Sequence, residues 1–149
     1  MSEKQNHETE EKELTRVEDG ILLSLIFMTD EQFYSLEASI TLNIRGSIIS
    51  GTLISRDKYY DLLAKELESS GSETAKRISD HLMDFNKMSK EREEKERKEK
   101  EKNSLPNFIH LKDAKFFSPG IDSSLPKQEG LLWRGRLDSI DGFSLVSIR

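Results

Sequence analysis

The strongest periodic signal in the chain is LEASITLNIRGSIISGTLIS, residues 36–55. Leu36, Ala38, Ile40, Leu42 and Ile44 fall on one parity, and Glu37, Ser39, Thr41, Asn43 and Arg45 fall on the other. Successive side chains of a pleated strand point to opposite faces, so this alternation predicts a strand with one buried face. Arg45-Gly46 supplies a turn, with Gly46 free to take a positive φ. The return strand puts Ile49, Gly51 and Leu53 on one face and Ile48 and Ile54 on the other. The pair reads as an antiparallel hairpin.

Upstream, Leu14, Val17, Ile21, Leu22, Leu25 and Ile26 recur at helical spacing and predict one amphipathic helix. Gly20 inside it costs about 1 kcal/mol relative to alanine. Downstream, RDKYYDLLAKELESSG predicts a second helix, capped by Ser55, burying Tyr60, Leu63, Ala64 and Leu67 and ending near Gly71. A third begins near Ser72. Its Ala75, Ile78, Leu82 and Phe85 form a candidate helix-pairing seam, facing the sheet, the preceding helix or a partner chain. Residues 90–102 contain no apolar side chain, and their acids and bases interleave. They read either as a solvated helix held by i,i+4 pairs or as a flexible linker. Leu105-Pro106 stops any helix there.

FIHLKDAKFF, residues 108–117, returns to strand composition, but its apolar parity switches between Ile109/Leu111 and Ala114/Phe116. A bulge near Lys112-Asp113 reconciles the two. After a Pro-containing loop (118–126), LLWRGRLDSIDGFSLVSIR predicts a second hairpin. A three-residue Ile140-Asp141-Gly142 loop with left-handed Gly142 pairs Leu137 with Leu145. It gathers Trp133, Gly135, Leu137, Phe143 and Leu145 on one buried face, with Arg134 and Arg136 on the other. The expected architecture is α+β: a mainly antiparallel sheet of about five strands, from two hairpins plus one strand, packed with about three helices. Residues 1–12 are expected to be a disordered acidic tail. Residues 13–149 are expected to form a single domain, with a charged helical or linker insertion at 87–105.

The chain has 149 residues, a net charge of −5 and equal apolar and charged shares of 34% each. No global positive field favours nucleic acid or anionic lipid. No apolar run approaches bilayer length, and the first twenty residues have no signal-peptide pattern, so a soluble cytoplasmic protein is expected. The lack of cysteine removes disulfides, thiolate metal sites and a cysteine nucleophile. His7, His81 and His110 are not spaced as metal ligands, and no phosphate loop or nucleophile elbow is present. No cofactor, metal or catalytic residue is expected, and the protein reads as no enzyme. Arg134 and Arg136, side by side on one strand face, are the candidate partner-binding residues, since guanidinium forks recognise carboxylates.

Four short motifs occur in order between Leu36 and Leu145: ISGT at Ile49–Thr52, FIHL at Phe108–Leu111, WRG at Trp133–Gly135 and DGF at Asp141–Phe143. In order and spacing they resemble the gas vesicle accessory protein GvpU family. The acidic N-terminal segment and the Lys/Glu run before Pro106 depart from the family pattern. The resemblance implies a non-enzymatic, cytoplasmic role in bacteria that make gas vesicles, the protein-shelled organelles of buoyancy. Its expected partners are shell or other gas vesicle proteins, with self-association as a further possibility. A generic self-associating scaffold and a small-molecule-binding or hydrolytic domain are the alternatives.

Overall fold

The structure, a computed structural model, describes residues 19–100, 105–118, 120, 125–126 and 128–146. The tail at 1–12 and the apolar positions Leu14 and Val17 lie outside the described residues. Helix α1 (Gly20–Thr29) is followed by strands β1 (Ala38–Ile44) and β2 (Ser47–Ile54). Helices α2 (Arg56–Ser69) and α3 (Glu73–Lys100) come next, then β3 (Phe108–Phe117) and β4 (Leu131–Arg136). A 3-10 turn at Leu137–Ser139 leads to β5 (Gly142–Ser144). The protein is α+β, with five antiparallel strands in the order β4-β3-β2-β1-β5.

Among the described residues, the first helix starts at Gly20. The Asp19 carboxylate accepts from the Ile21 and Leu22 N–H groups at 3.0 and 3.2 Å, and its own backbone is extended. An aspartate cap satisfies amides that have no partner within the helix. Gly20 therefore stands at the first helical position, where the interior penalty for glycine does not apply.

The β1–β2 hairpin turns at Arg45-Gly46, both with positive φ. Ser55 caps α2, its Oγ accepting from Lys58 N–H at 3.0 Å, and Gly71 (φ +68) turns the chain into α3. The third helix extends through the charged run to Lys100. The bulge falls where the parity switch places it: pairing of β3 shifts between Leu111 and Ala114, and Asp113 takes φ +51. Neighbouring strands meet it with glycine. A Cβ on Gly51 would lie 2.9 Å from Lys112 O, and one on Gly130 would overlap the Asp113 backbone.

The second hairpin is not formed. β4 pairs with β3, matching Trp133 to Leu111, while β5 pairs with β1, matching Phe143 to Leu42. The intervening segment crosses from one edge of the sheet to the other. Leu137 N–H donates to Asn107 O, Asp141 N–H to Asn43 O, and the Asp141 carboxylate accepts from Arg45 N–H at 2.8 Å. The Asp141 anchors to β1 and its turn, together with the Leu137 bond to the residue before β3, replace the local hairpin. Gly142 is not left-handed, and Leu145 is exposed rather than buried.

That crossing constrains the sheet. Arg136 and Gly142 would be ~30 Å apart on a flat sheet, while six residue steps reach at most about 21 Å. The sheet is therefore curled, as right-handed twist and the bulge both promote. Ile40, Leu42, Ile49, Leu53, Ile109, Leu111 and Ala114 form the buried core on its inner face with Leu22 of α1. Leu25, Ile26, Trp133, Leu137, Ile140 and Phe143 pack around it. α2 packs on the outer face and α3 packs on α2, giving the order α1, sheet, α2, α3.

Candidate interaction surfaces

The outer face of β3 and β4 carries Phe108, His110, Arg134 and Arg136, since residues paired across antiparallel strands share a face. His110 is buried, its ring centroid 4.8 Å from Tyr59 and 6.5 Å from Tyr60. Burial, reinforced by the charges of Arg134 and Arg56, lowers the His110 pKa to about 3. The imidazole is thus neutral, and its Nε2 has no hydrogen-bond partner. Burial likewise pushes the Tyr59 phenol up.

The two candidate arginines differ in their surroundings. Arg136 pairs with Asp138 at 2.8 Å. The guanidinium of Arg134 stacks over the Phe108 ring, 3.6 Å from its centroid, and no carboxylate among the described residues pairs with it. Stacking holds the cation over the ring, and a guanidinium bound through its face keeps its edge N–H groups for other partners.

α2 and α3 are clasped by polar side chains at one end. Arg56 makes a two-point contact with Glu93, at 2.7 and 3.0 Å. Asp57 accepts from Asn86 at 3.0 Å and Lys90 at 2.9 Å. Burial alone would raise the Asp57 carboxyl, but the bonds from Lys90 and Asn86 outweigh it and hold the pKa below its ordinary value.

The predicted seam on α3 divides. Ala75 and Leu82 are half-buried on the side that carries the buried Ser79 and Asn86. Positions 75, 79, 82 and 86 follow a heptad-like spacing of four, three and four, and that stripe faces α2. Ile78 and Phe85 lie beside it, 47% and 51% exposed, and Met88, 68% exposed, extends their stripe. Periodicity alone did not separate the two stripes, because the buried one is small and polar.

A second apolar surface lies across the sheet. α1 has no charged residue, yet Ile21 is 67% exposed and Phe27 also reaches solvent. The turn that follows folds back through hydrogen bonds to Asp30 O and Met28 O, keeping exposed Phe33 and Tyr34 at the helix's end. A helix that is apolar on all sides is ordinarily buried on all sides. This surface was not singled out in the sequence, although the uncharged run Gly20–Thr29 was its signal. Among the described residues no group of His, Asp and Glu could hold a metal ion, and no helix is long and apolar enough to cross a membrane.

These features define a small α+β protein whose distinctive chemistry is on exposed apolar and cation–aromatic faces. The chain belongs to the gas vesicle protein GvpU-like family, whose model matches residues 19–148. No curated protein and no solved structure matches it. The family places the protein among gas vesicle proteins.

Proposed function

We propose that the protein is a non-enzymatic organiser of gas vesicles in the bacterial cytoplasm, attaching to shell or accessory proteins and linking vesicles together. The observation that carries this reading is the placement of two exposed apolar surfaces in different outer layers. Ile21, Phe27, Phe33 and Tyr34 belong to the α1 side, and Ile78, Phe85 and Met88 to the α3 side, with the sheet and α2 between them. Separate contact surfaces on one small body suit bridging, and even weak contacts gain strength when many act together. Arg134 and Arg136 offer a third, polar contact. Neither nucleic acid nor lipid is a partner in this reading, in keeping with the net charge of −5.

Flotation with isolated gas vesicles tests it. The protein should rise with the vesicles and shift them toward larger aggregates by light scattering. Changing Phe33 and Tyr34 to serine, or Ile78 and Phe85 to serine, should preserve flotation or clustering only in part. Protein left wholly in the infranatant at moderate salt would overturn the reading.

A further inference from the structure

Charge is unevenly distributed along this chain. Residues 1–19, MSEKQNHETEEKELTRVED, hold seven acidic side chains against three basic ones and carry most of the net charge of −5. Glu8, Glu10, Glu11 and Glu13 crowd into six positions. A sequence so acidic and so poor in apolar residues is complementary to a cationic surface.

The folded body presents such a surface at Arg134. Its guanidinium is fixed over Phe108 at 3.6 Å, so ordering the side chain for a ligand costs little entropy. Arg136, two residues along the same face, is already engaged by Asp138, whereas no carboxylate among the described residues occupies Arg134. Beneath this cation lies His110, the cross-strand neighbour of Arg134, 5% exposed and with Nε2 unpartnered. Tyr59 flanks it. A planar cation held over an aromatic floor suits a carboxylate on a short peptide segment, which can take two parallel N–H bonds from one guanidinium.

We propose that the Arg134–Phe108 platform is a carboxylate-binding site for an acidic peptide, and that its occupant is the glutamate-rich N-terminal segment of a second copy of the chain. The segment joins the described chain at Asp19, which caps α1 on the inner side of the sheet, whereas Arg134 faces the outer side. A second copy reaches the platform without wrapping around the sheet. Each copy then offers one segment and one platform, a head-to-tail arrangement that extends rather than closing on itself. This contact is independent of vesicle attachment, and its tests contain no vesicles.

The test pairs two measurements on the full-length protein. A labelled peptide of residues 1–19 is titrated with protein and followed by fluorescence anisotropy. Sedimentation velocity over a concentration series reads self-association. Binding should be saturable and should weaken about tenfold or more when salt rises from about 0.05 to 0.5 M. Arg134→Gln should weaken it about tenfold, Arg134→Lys several-fold, and Arg136→Gln less than about twofold. A peptide with Glu8, Glu10, Glu11 and Glu13 changed to glutamine should bind at least about tenfold more weakly. Concentration-dependent sedimentation should disappear in Arg134→Gln. Should that variant lose its native circular dichroism, Phe108→Leu, which removes the stacking while keeping an apolar side chain, takes its place.

Unchanged peptide binding in the folded Arg134 or Phe108 variant overturns the proposal, as does equal binding of the glutamine peptide. A full-length chain that stays strictly monomeric at every concentration overturns the second-copy occupant. Equal affinity for an unrelated acidic peptide of the same length and charge also overturns that occupant, since the platform would then take acidic peptides without preference for this one.

Discussion

The indole of Trp133 lies across Gly135, two residues along the same strand face, so closely that any Cβ at Gly135 would overlap the six-membered ring. Glycine is required there by side-chain packing rather than by an unusual φ. The ring can then lie flat along β4 and join the core that Leu111, its strand partner, helps form. Gly135→Ala should displace the indole and destabilise the fold by ~1–3 kcal/mol, the usual cost of overpacking. Urea titration followed by tryptophan emission measures both effects. A wild-type emission maximum with unchanged stability would show that the ring is not so placed.

The bulge at Asp113 makes a second prediction about glycine. Gly130 faces the Asp113 backbone with no room for a Cβ, Gly51 faces Lys112 O at 2.9 Å, and Gly46 faces open space in a left-handed turn. Backbone atoms yield less easily than the end of a side chain. Alanine should therefore be most costly at Gly130, intermediate at Gly51, and cost about 1 kcal/mol at Gly46, where only the positive φ opposes it. Denaturant midpoints of the three variants test the order.

His110 sets a pH dependence whose sign follows from its burial. Its pKa is about 3 in the folded chain against about 6.5 unfolded, so the unfolded state binds more protons between those values. Stability is fully present above the unfolded pKa and is lost as pH falls toward the folded one, by roughly 3–5 kcal/mol across the window. His110→Phe should flatten the slope between about pH 4.5 and 6.5, above the range where the lowered Asp57 carboxyl protonates. Chemical denaturation at several pH values, compared between the two proteins, reads the difference directly.

On α3, adjacent positions should answer differently. Ile78→Ser and Phe85→Ser alter exposed side chains and should change monomer stability by less than about 1 kcal/mol. Asn86→Ala removes a buried amide that donates to Asp57 and should cost about 1–3 kcal/mol. Equal losses at all three positions, measured at a concentration where the chain is monomeric, would contradict the separation of the two stripes.

What could be read from the sequence was what local pattern decides. Alternation from Leu36 to Ile44 identified β1 and its inner face, and the parity switch after Leu111 located the bulge to a residue or two. Ser55 announced α2 because a side-chain cap is a local feature. The C-terminal strands escape local pattern for the opposite reason. Asp141-Gly142 has good hairpin chemistry, yet Asp141 makes its bonds to Asn43 and Arg45, nearly a hundred residues away in sequence. No local pattern encodes that choice. On α3, apolar spacing drew attention to Ile78 and Phe85, while the face against α2 is built from Ala75, Ser79 and Asn86, whose small or polar side chains give a weak periodic signal. Arg134 was legible as a candidate, but its stacking on Phe108 and the engagement of Arg136 by Asp138 were not.

The pairing of β5 with β1 has a consequence for the order in which the molecule can be built. Strand β1 is among the first parts of the described chain to be synthesised, and its free edge is covered only when residues 142–144 arrive. Until then the growing chain carries an exposed strand edge beside an apolar interior, a template for mispairing with neighbours. The last contact made would also be among the longest in sequence separation, a closure that slows folding. Ribosome-bound chains cut short before Gly142 should accordingly be captured by chaperones that release the longer ones.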